Sequence, residues 1–368
     1  MWLHRLALGL GLAWAAPAAA QVIPAVAAGV YATDSINTVI PARMRELGIP
    51  GASVTVIREG KVVVNRGFGL ADVELAVPAR ASTRYRVGSI AKPFTAVALA
   101  ILLDEGKLDL DAEVQRYVPT FPRKPWPVTV RQLAGHQAGI RHYQAGEFEN
   151  QRNYPTLLDG LRMFEDDSLR FKPGTAYGYS SFGYNLLGAV IEGASGMSYL
   201  QFMHDRVFVP LGMDATVADY PDSIIPGRAS FYLGPDSAAP LRNAPYVDNS
   251  YKWPSGGFLS TTEDLARFGQ AMLDGRLVAE RTREMMWTPM RTVGGTDTGY
   301  GLGWGVGTTA TGLRRIGHTG GSMGAISVLA LYPDEQLVVA ITVNSDNGLN
   351  ALANRIAAWY TPDEEARQ

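Results

Sequence analysis

A chain of 368 residues, 46% hydrophobic and with a formal charge of -2, has the material for a large core, as one domain or two interlocked ones. The absence of a long basic run argues against nucleic acid as a partner, and plentiful aromatics with no low-complexity tract or solenoid-period repeat exclude a disordered chain or a repeat array, the tail TPDEEARQ apart. Without a single cysteine, neither a disulfide nor a lipid-bearing cysteine is available, so packing must supply the stability.

Residues 1–20 read as a secretory leader. Arg5 gives a short basic region, Leu6 to Ala16 an apolar core, and Ala18-Ala19-Ala20 a small-residue cleavage site that would leave Gln21 as the mature start. The apolar run is short for a membrane span and ends in Pro17, and no later stretch fits a transmembrane helix. The expectation is a periplasmic or secreted protein, residues 21–368, with no membrane span once the leader is removed.

Residues 33 to 48 read as an amphipathic helix, and ASVTVIREGKVVVNRGFGLAD as a hairpin turning at Glu59-Gly60. Next comes YRVGSIAKPFTAVALAILLDEG, residues 85 to 106. From Phe94 it has no Gly or Pro until Gly106, which predicts a helix stopping there. Pro93 is tolerated only near a helix start, so the helix begins close to Ser89. Residues three apart share a face, which points Ser89 and Lys92 the same way. That pairing suits nucleophilic catalysis: a serine hydroxyl needs a base to take its proton, and a lysine held neutral can be that base. Burial and the positive end of the helix dipole both push a lysine down from its free value of about 10.4. The alternative is a surface lysine behind an N-capping serine, a common arrangement.

The segment from about 107 to 260 carries many helical runs joined by proline-rich connections. His136 and His142 within it have no glutamate pattern of the metalloprotease kind and no cysteine to join them, so they read as core or loop histidines. His204 reads as a structural residue of a helix. Towards the end, YGLGWGVG, LRRIGHTG, GAISVLALYP and QLVVAITVN read as strands, followed by a helix from about Leu349 to Tyr360. The economical fold class is α+β: an antiparallel sheet built from both chain ends and flanked by helices, with a mostly helical region inserted at about 107–260. Ser89 then sits at the seam between layers, where sites usually form.

Two rival motifs fail on context. Gly320-Gly321-Ser322-Met323-Gly324 has the nucleophile-elbow pattern, but that fold needs a histidine after the serine and a helix next, whereas the last histidine is His318 and GAISVLALYP reads as a strand. Ser345-Asp346-Asn347 follows the HTG tripeptide instead of preceding it, and reads as a helix entry with Asn347 a remote substrate candidate.

Beyond SIAK, the chain has PGTAYGYSSFGYNLLGAVIEGASG at 173–196 and GHTGGSMGAISVLALYP at 317–333. In order and spacing these resemble the serine β-lactamase and penicillin-binding-protein superfamily, class C branch, whose pattern is Ser-x-x-Lys, Tyr-x-Asn and Lys-Thr-Gly or His-Thr-Gly. GHQAGIRHY at 135–143 and DNSYKWPSGGFLSTTEDLARFGQAML at 248–273 look most like its mitochondrial serine β-lactamase-like subgroup. The resemblance implies that Ser89 is acylated, that Lys92 activates it, and that Tyr179 is a second proton-transfer group. It also implies that His318, Thr319 and Gly320 start the strand lining the cleft, and that the N–H groups of Ser89 and Gly321 form the oxyanion hole.

Two departures narrow the substrate. The asparagine of Tyr-x-Asn is Ser181 here, a shorter group without the fixed amide donor and acceptor, which can still touch substrate. His318 replaces the lysine typical of β-lactamases, so a cation for a substrate carboxylate is missing unless His318 is protonated. The resemblance therefore implies a Ser-Lys-Tyr acyl-enzyme hydrolase acting on amide or peptide bonds of a small molecule or peptide, without metal or cofactor. The alternatives are a carboxylesterase on the same fold and a non-catalytic binding or assembly protein. Nothing in these motifs encodes the oligomeric state.

Overall fold

Both ends of the chain meet in one sheet. The computed structural model describes residues 25–235 and 239–361, so the leader read from residues 1–20 lies outside the described residues. Strands β1 (Gly51–Arg58), β2 (Lys61–Asp72), β3 (Val77–Pro78), β4 (Gly305–Thr308), β5 (Arg314–Ser322), β6 (Ala325–Tyr332) and β7 (Leu337–Val343) run in the order β3-β2-β1-β7-β6-β5-β4. Every neighbouring pair is antiparallel. The chain ends join where β1 pairs with β7, Ala52 facing Val343 and Arg58 facing Leu337. Glu59 and Gly60 connect β1 to β2 with φ of 50° and 74°. Two successive left-handed residues give the turn whose twist matches a hairpin.

Five longer helices accompany the sheet: α1 (Ala25–Leu47), α2 (Ala91–Asp104), α3 (Ser181–Ser195), α4 (Thr262–Leu273) and α5 (Leu352–Tyr360). Helix α1 begins earlier than the hydrophobic pattern at 33–48 predicts and carries Pro41 inside it. Side chains of a strand alternate between faces. On β6, Val328, Ala330 and Tyr332 accordingly pack in one core with α1 and α5, while Leu329 and Leu331 join the other core with α2 and α4. With both faces covered, β6 and β7 read as nearly continuous apolar runs.

Helix α2 lies at the centre of the second core, with every residue from Ala91 to Leu102 buried. A helix apolar all round belongs in an interior, and Lys92 is the one ionisable side chain in that run. A 3-10 turn, Gly88–Ile90, leads into it. Between α2 and α4 the chain runs through α3, several shorter helices and irregular connections. A three-stranded ribbon, Tyr85–Arg86, Phe258–Ser260 and Val217–Ala218, ties this region to the segment just before Ser89.

The stretch YGLGWGVG departs from its expected strand. Beyond an isolated bridge between Tyr300 and Gly305 the strand starts only at Gly305, because Gly303, at φ 84°, and Gly299 just before the stretch, at φ 63°, turn the chain out of extended geometry. Among the described residues no helix is long and apolar enough to cross a membrane.

Candidate active site

The seam between the sheet and α2 brings Ser89 and Lys92 together. The 3-10 turn leaves Ser89 half-buried at its opening, while one residue of true α-helix later Lys92 is 0% exposed. Ile90 holds the N-cap position of α2 and makes no side-chain cap, so Ser89 is not an N-capping serine and Lys92 is not a surface lysine. Lys92 Nζ lies 2.9 Å from Ser89 Oγ, 3.1 Å from Ser181 Oγ and 3.0 Å from the Ser255 carbonyl oxygen.

Burial, and then the charge of Lys252, hold Lys92 well below the usual lysine range. A neutral amine has two N–H donors and one lone pair. The Ser255 carbonyl can only accept, and Ser181 Oγ takes the second N–H, which leaves the lone pair for the Ser89 hydroxyl proton. Three neighbours thus orient one base.

Tyr179 approaches from the segment that caps α3. Ser180 is the N-cap of that helix: its Oγ accepts from Gly183 N at 2.9 Å and donates to the Arg141 carbonyl at 2.7 Å. Two histidines fix the same turn, His136 Nδ1 accepting from Ser180 N and His142 Nδ1 from Ser181 N, each at 3.1 Å. Both must be unprotonated at Nδ1 to do so. Burial is the main cause that pushes His136 well down and His142 down to about 4.

The His136 ring centre lies 4.3 Å from that of Tyr179, and Lys92 Nζ is 4.8 Å from the Tyr179 ring centre. Burial raises the Tyr179 phenol above its usual value, and a hydrogen bond with the Ser89 side chain pulls it part of the way back. With Lys92 itself kept neutral, no cation is at hand to hold Tyr179 as phenolate. The resting pair is an amine and a phenol.

The opposite wall is β5. Its pairing with β4 ends at Gly317, so His318 to Ser322 run on past the partner strand and pack against the Gly88–Ile90 turn. Two glycines permit this approach. A Cβ on Gly320 would sit 2.0 Å from the Val87 carbonyl oxygen and 3.0 Å from Ser89 N, and one on Gly88, at φ 49°, would sit 2.5 Å from the Gly321 carbonyl oxygen. Ser327 Oγ, from β6, donates to the Val87 carbonyl at 2.7 Å and secures the turn. Ser89 N and Gly321 are thereby neighbours, with Thr319 and Gly321 exposed along the cleft.

His318 is buried and locked. Its Nδ1–H donates to the Thr319 carbonyl at 2.6 Å, and Nε2 accepts from the Tyr300 hydroxyl at 3.0 Å. Burial is the main cause that pushes it down to about 3. His318 therefore stays uncharged at any ordinary pH and offers no cation to a carboxylate.

The other motifs lie apart from this chemistry. Ser322 is followed by a tight turn and β6, not a helix. Asn347 Nδ2 donates to the Leu47 carbonyl at 2.9 Å, tying the loop after β7 to the end of α1. His204 is exposed beside Asp205. Among the described residues no group of three or more His, Asp or Glu side chains is placed to hold a metal ion. Sequence reasoning missed the Ser255 carbonyl, Tyr143 and Lys252, and read His136 and His142 as core or loop residues without seeing that they brace the Tyr179 turn.

Comparison with known proteins gives the family and the fold. Residues 36–360 match the Beta-lactamase family. The human protein "Serine beta-lactamase-like protein LACTB, mitochondrial" is 34% identical, over 86% of this chain and 78% of its own length. Among solved structures, the octameric penicillin-binding protein homologue from Pyrococcus abyssi superposes with a TM-score of 0.76 at 28% identity, covering 89% of this chain and 76% of that one. A D-stereospecific amidohydrolase from Streptomyces sp. gives 0.70 at 28% identity, over 83% and 92% respectively.

Proposed function

The chain belongs to the beta-lactamase family of serine hydrolases, and from that membership we propose that it is an exported hydrolase that cleaves amide or peptide bonds through a Ser89-Lys92-Tyr179 acyl-enzyme mechanism. The observation that carries the reading is the 2.9 Å contact between Ser89 Oγ and the fully buried, deprotonation-prone Lys92 Nζ. Ser89 Oγ attacks the carbonyl carbon and its proton passes to the Lys92 lone pair. The oxyanion settles between the N–H groups of Ser89 and Gly321, donors already aimed before charge develops. Tyr179, a phenol hydrogen-bonded to Ser89, delivers a proton to the departing nitrogen and is resupplied from Lys92. Water then releases the acyl group by the reverse proton path. The amide preference rests on the Streptomyces neighbour, named as an amidohydrolase.

Incubation with a fluorophosphonate probe and peptide mass spectrometry should place an adduct on Ser89, and Ser89→Ala should remain unlabelled. A folded protein with no adduct at Ser89 under any condition would favour the binding or assembly role. Comparing D-amino-acid anilides with p-nitrophenyl esters separates the two hydrolase readings, since fast ester turnover with inert anilides would select the carboxylesterase.

Export follows from residues 1–20, whose basic, apolar and small-residue blocks have the order of a cleavable leader. The human relative is named as mitochondrial, so the compartment needs its own measurement. Expressed in a Gram-negative host, the protein should be recovered from the periplasm with an intact mass starting at Gln21. Recovery of the full-length chain from the cytosol would remove this part of the reading.

A further inference from the structure

The site holds a second buried lysine that acyl transfer does not use. Lys252, in the turn Ser250–Lys252 just before Trp253–Gly256, is 1% exposed. Its Nζ lies 4.3 Å from the ring centre of Phe148, 5.3 Å from that of Tyr251 and 5.8 Å from that of Tyr143. Aromatic faces attract a cation but bring no counter-charge. Among the described residues Lys252 Nζ has no hydrogen bond and no ion pair. The carboxylate whose charge reaches it, Asp219, is shared: its Oδ2 accepts from Arg86 Nε and from Asn249 Nδ2, both at 2.8 Å, while its Oδ1 has no hydrogen-bond partner.

This box adjoins the reacting groups. The Tyr143 side chain has Ser181, Ser255 and Tyr251 as hydrogen-bond partners, and Ser181 Oγ and the Ser255 carbonyl are two of the three groups on Lys92 Nζ. Ser255 Oγ donates to the Lys252 carbonyl at 3.3 Å. The charge of Lys252 is felt by both Lys92 and His142. A buried cation with no anion in contact is unstable in its charged form, and burial, with Arg86 adding to it and Asp219 opposing, pushes Lys252 down to about 7.

Building on the hydrolase reading above, we propose that Lys252 is a specificity-determining residue whose ammonium receives an anionic group of the substrate, a carboxylate within a few bonds of the scissile carbonyl. The cation that His318 cannot supply from the β5 wall comes instead from Lys252, on the Ser181 and Ser255 side of Lys92, out of an aromatic box. A carboxylate entering there completes an ion pair in a dry site, where such a pair is far stronger than in water.

Two matched ester pairs test this. One pair carries the difference on the acyl chain, the p-nitrophenyl monoester of glutaric acid against its terminal amide. The other carries it on the leaving phenol, the butyrate ester of 4-hydroxybenzoic acid against that of 4-hydroxybenzamide. With uncatalysed background subtracted, wild-type kcat/KM should favour the acid in at least one pair by about tenfold or more. That ratio should collapse to near one in Lys252→Met and return in Lys252→Arg.

A merely structural role would lower acid and amide by the same factor and leave the ratio intact, which overturns the proposal. Equal wild-type turnover of acid and amide in both pairs also overturns it, without any variant needing to fold. Absence of Ser89-dependent turnover of all four esters removes the hydrolase reading and this one with it.

Discussion

Replacing Lys92 with methionine should lower kcat/KM by about 10²–10⁴-fold, the range over which a positioned general base acts, while changing the pH dependence of stability in a direction fixed by linkage. Lys92 is held below its free value because burial disfavours the ammonium. Between that depressed value and the free value of about 10.4, the unfolded chain carries a proton on this lysine and the folded protein does not. The unfolded state therefore binds more protons, and the contribution of Lys92 to stability rises with pH across that window. Methionine has no such term. The difference in unfolding temperature, variant minus wild type, should fall as the pH is raised from neutrality towards the free lysine value.

Melts at several pH values, alongside steady-state rates, read both effects. A difference that rises with pH would mean a charged Lys92 in the fold, and with it the loss of the base. In the wild type, kcat/KM should decline as the pH drops through the depressed Lys92 value, because the lone pair facing Ser89 is then occupied.

The part of this site visible from sequence is the part that local geometry encodes. Three-residue spacing at a helix start sets Ser89 over Lys92, and short runs rich in Val, Ile and Leu bounded by turns place β1, β6 and β7. Glu59-Gly60 announces its hairpin because only left-handed residues close so short a turn. What escaped the sequence depends on distant chain segments meeting. The Ser255 carbonyl that takes one Lys92 proton comes from a turn 163 residues on. Lys252 sits between Tyr251 and Trp253 like an ordinary surface lysine, and only tertiary packing closes Phe148 and Tyr143 around it. His136 and His142 carry no motif of their own, since their role is to accept two backbone N–H groups at the start of α3.

The glycine-rich segment before β4 misled for the opposite reason. Alternating small and apolar residues mimic a strand, while Gly303 adopts a left-handed conformation that turns the chain out of it. Tyr179 shows a third case. A neighbouring lysine would favour phenolate if charged, but the burial that makes Lys92 a base also removes the charge that would ionise Tyr179.

The second large effect concerns backbone approach. Gly320→Ala should lower kcat by about 10²–10³-fold, the loss expected when an oxyanion donor is displaced, even though the substitution removes no functional group. The added Cβ would meet the Val87 carbonyl oxygen at 2.0 Å, Ser327 Oγ at 2.4 Å and Ser89 N at 3.0 Å. None of these can move freely. The Val87 carbonyl is held by Ser327 Oγ and sits in the turn carrying Ser89, so relief must come from β5 moving away from the Gly88–Ile90 turn. That motion separates the N–H groups of Ser89 and Gly321, the two donors proposed to hold the oxyanion.

Gly321→Ala provides the contrast. Its N–H is retained, and a Cβ there finds its nearest neighbour, Ile326 Cδ1, at 3.7 Å, an ordinary contact. The Gly321 variant should therefore lose at least about tenfold less activity than the Gly320 variant, in line with the modest effect of a substitution that overlaps nothing. Overpacking at Gly320 should also lower stability by about 1–3 kcal/mol, so rates are compared at a temperature where both variants are folded. Equal losses at the two positions would show that side-chain bulk in the cleft, not displacement of β5 from Ser89, limits the reaction.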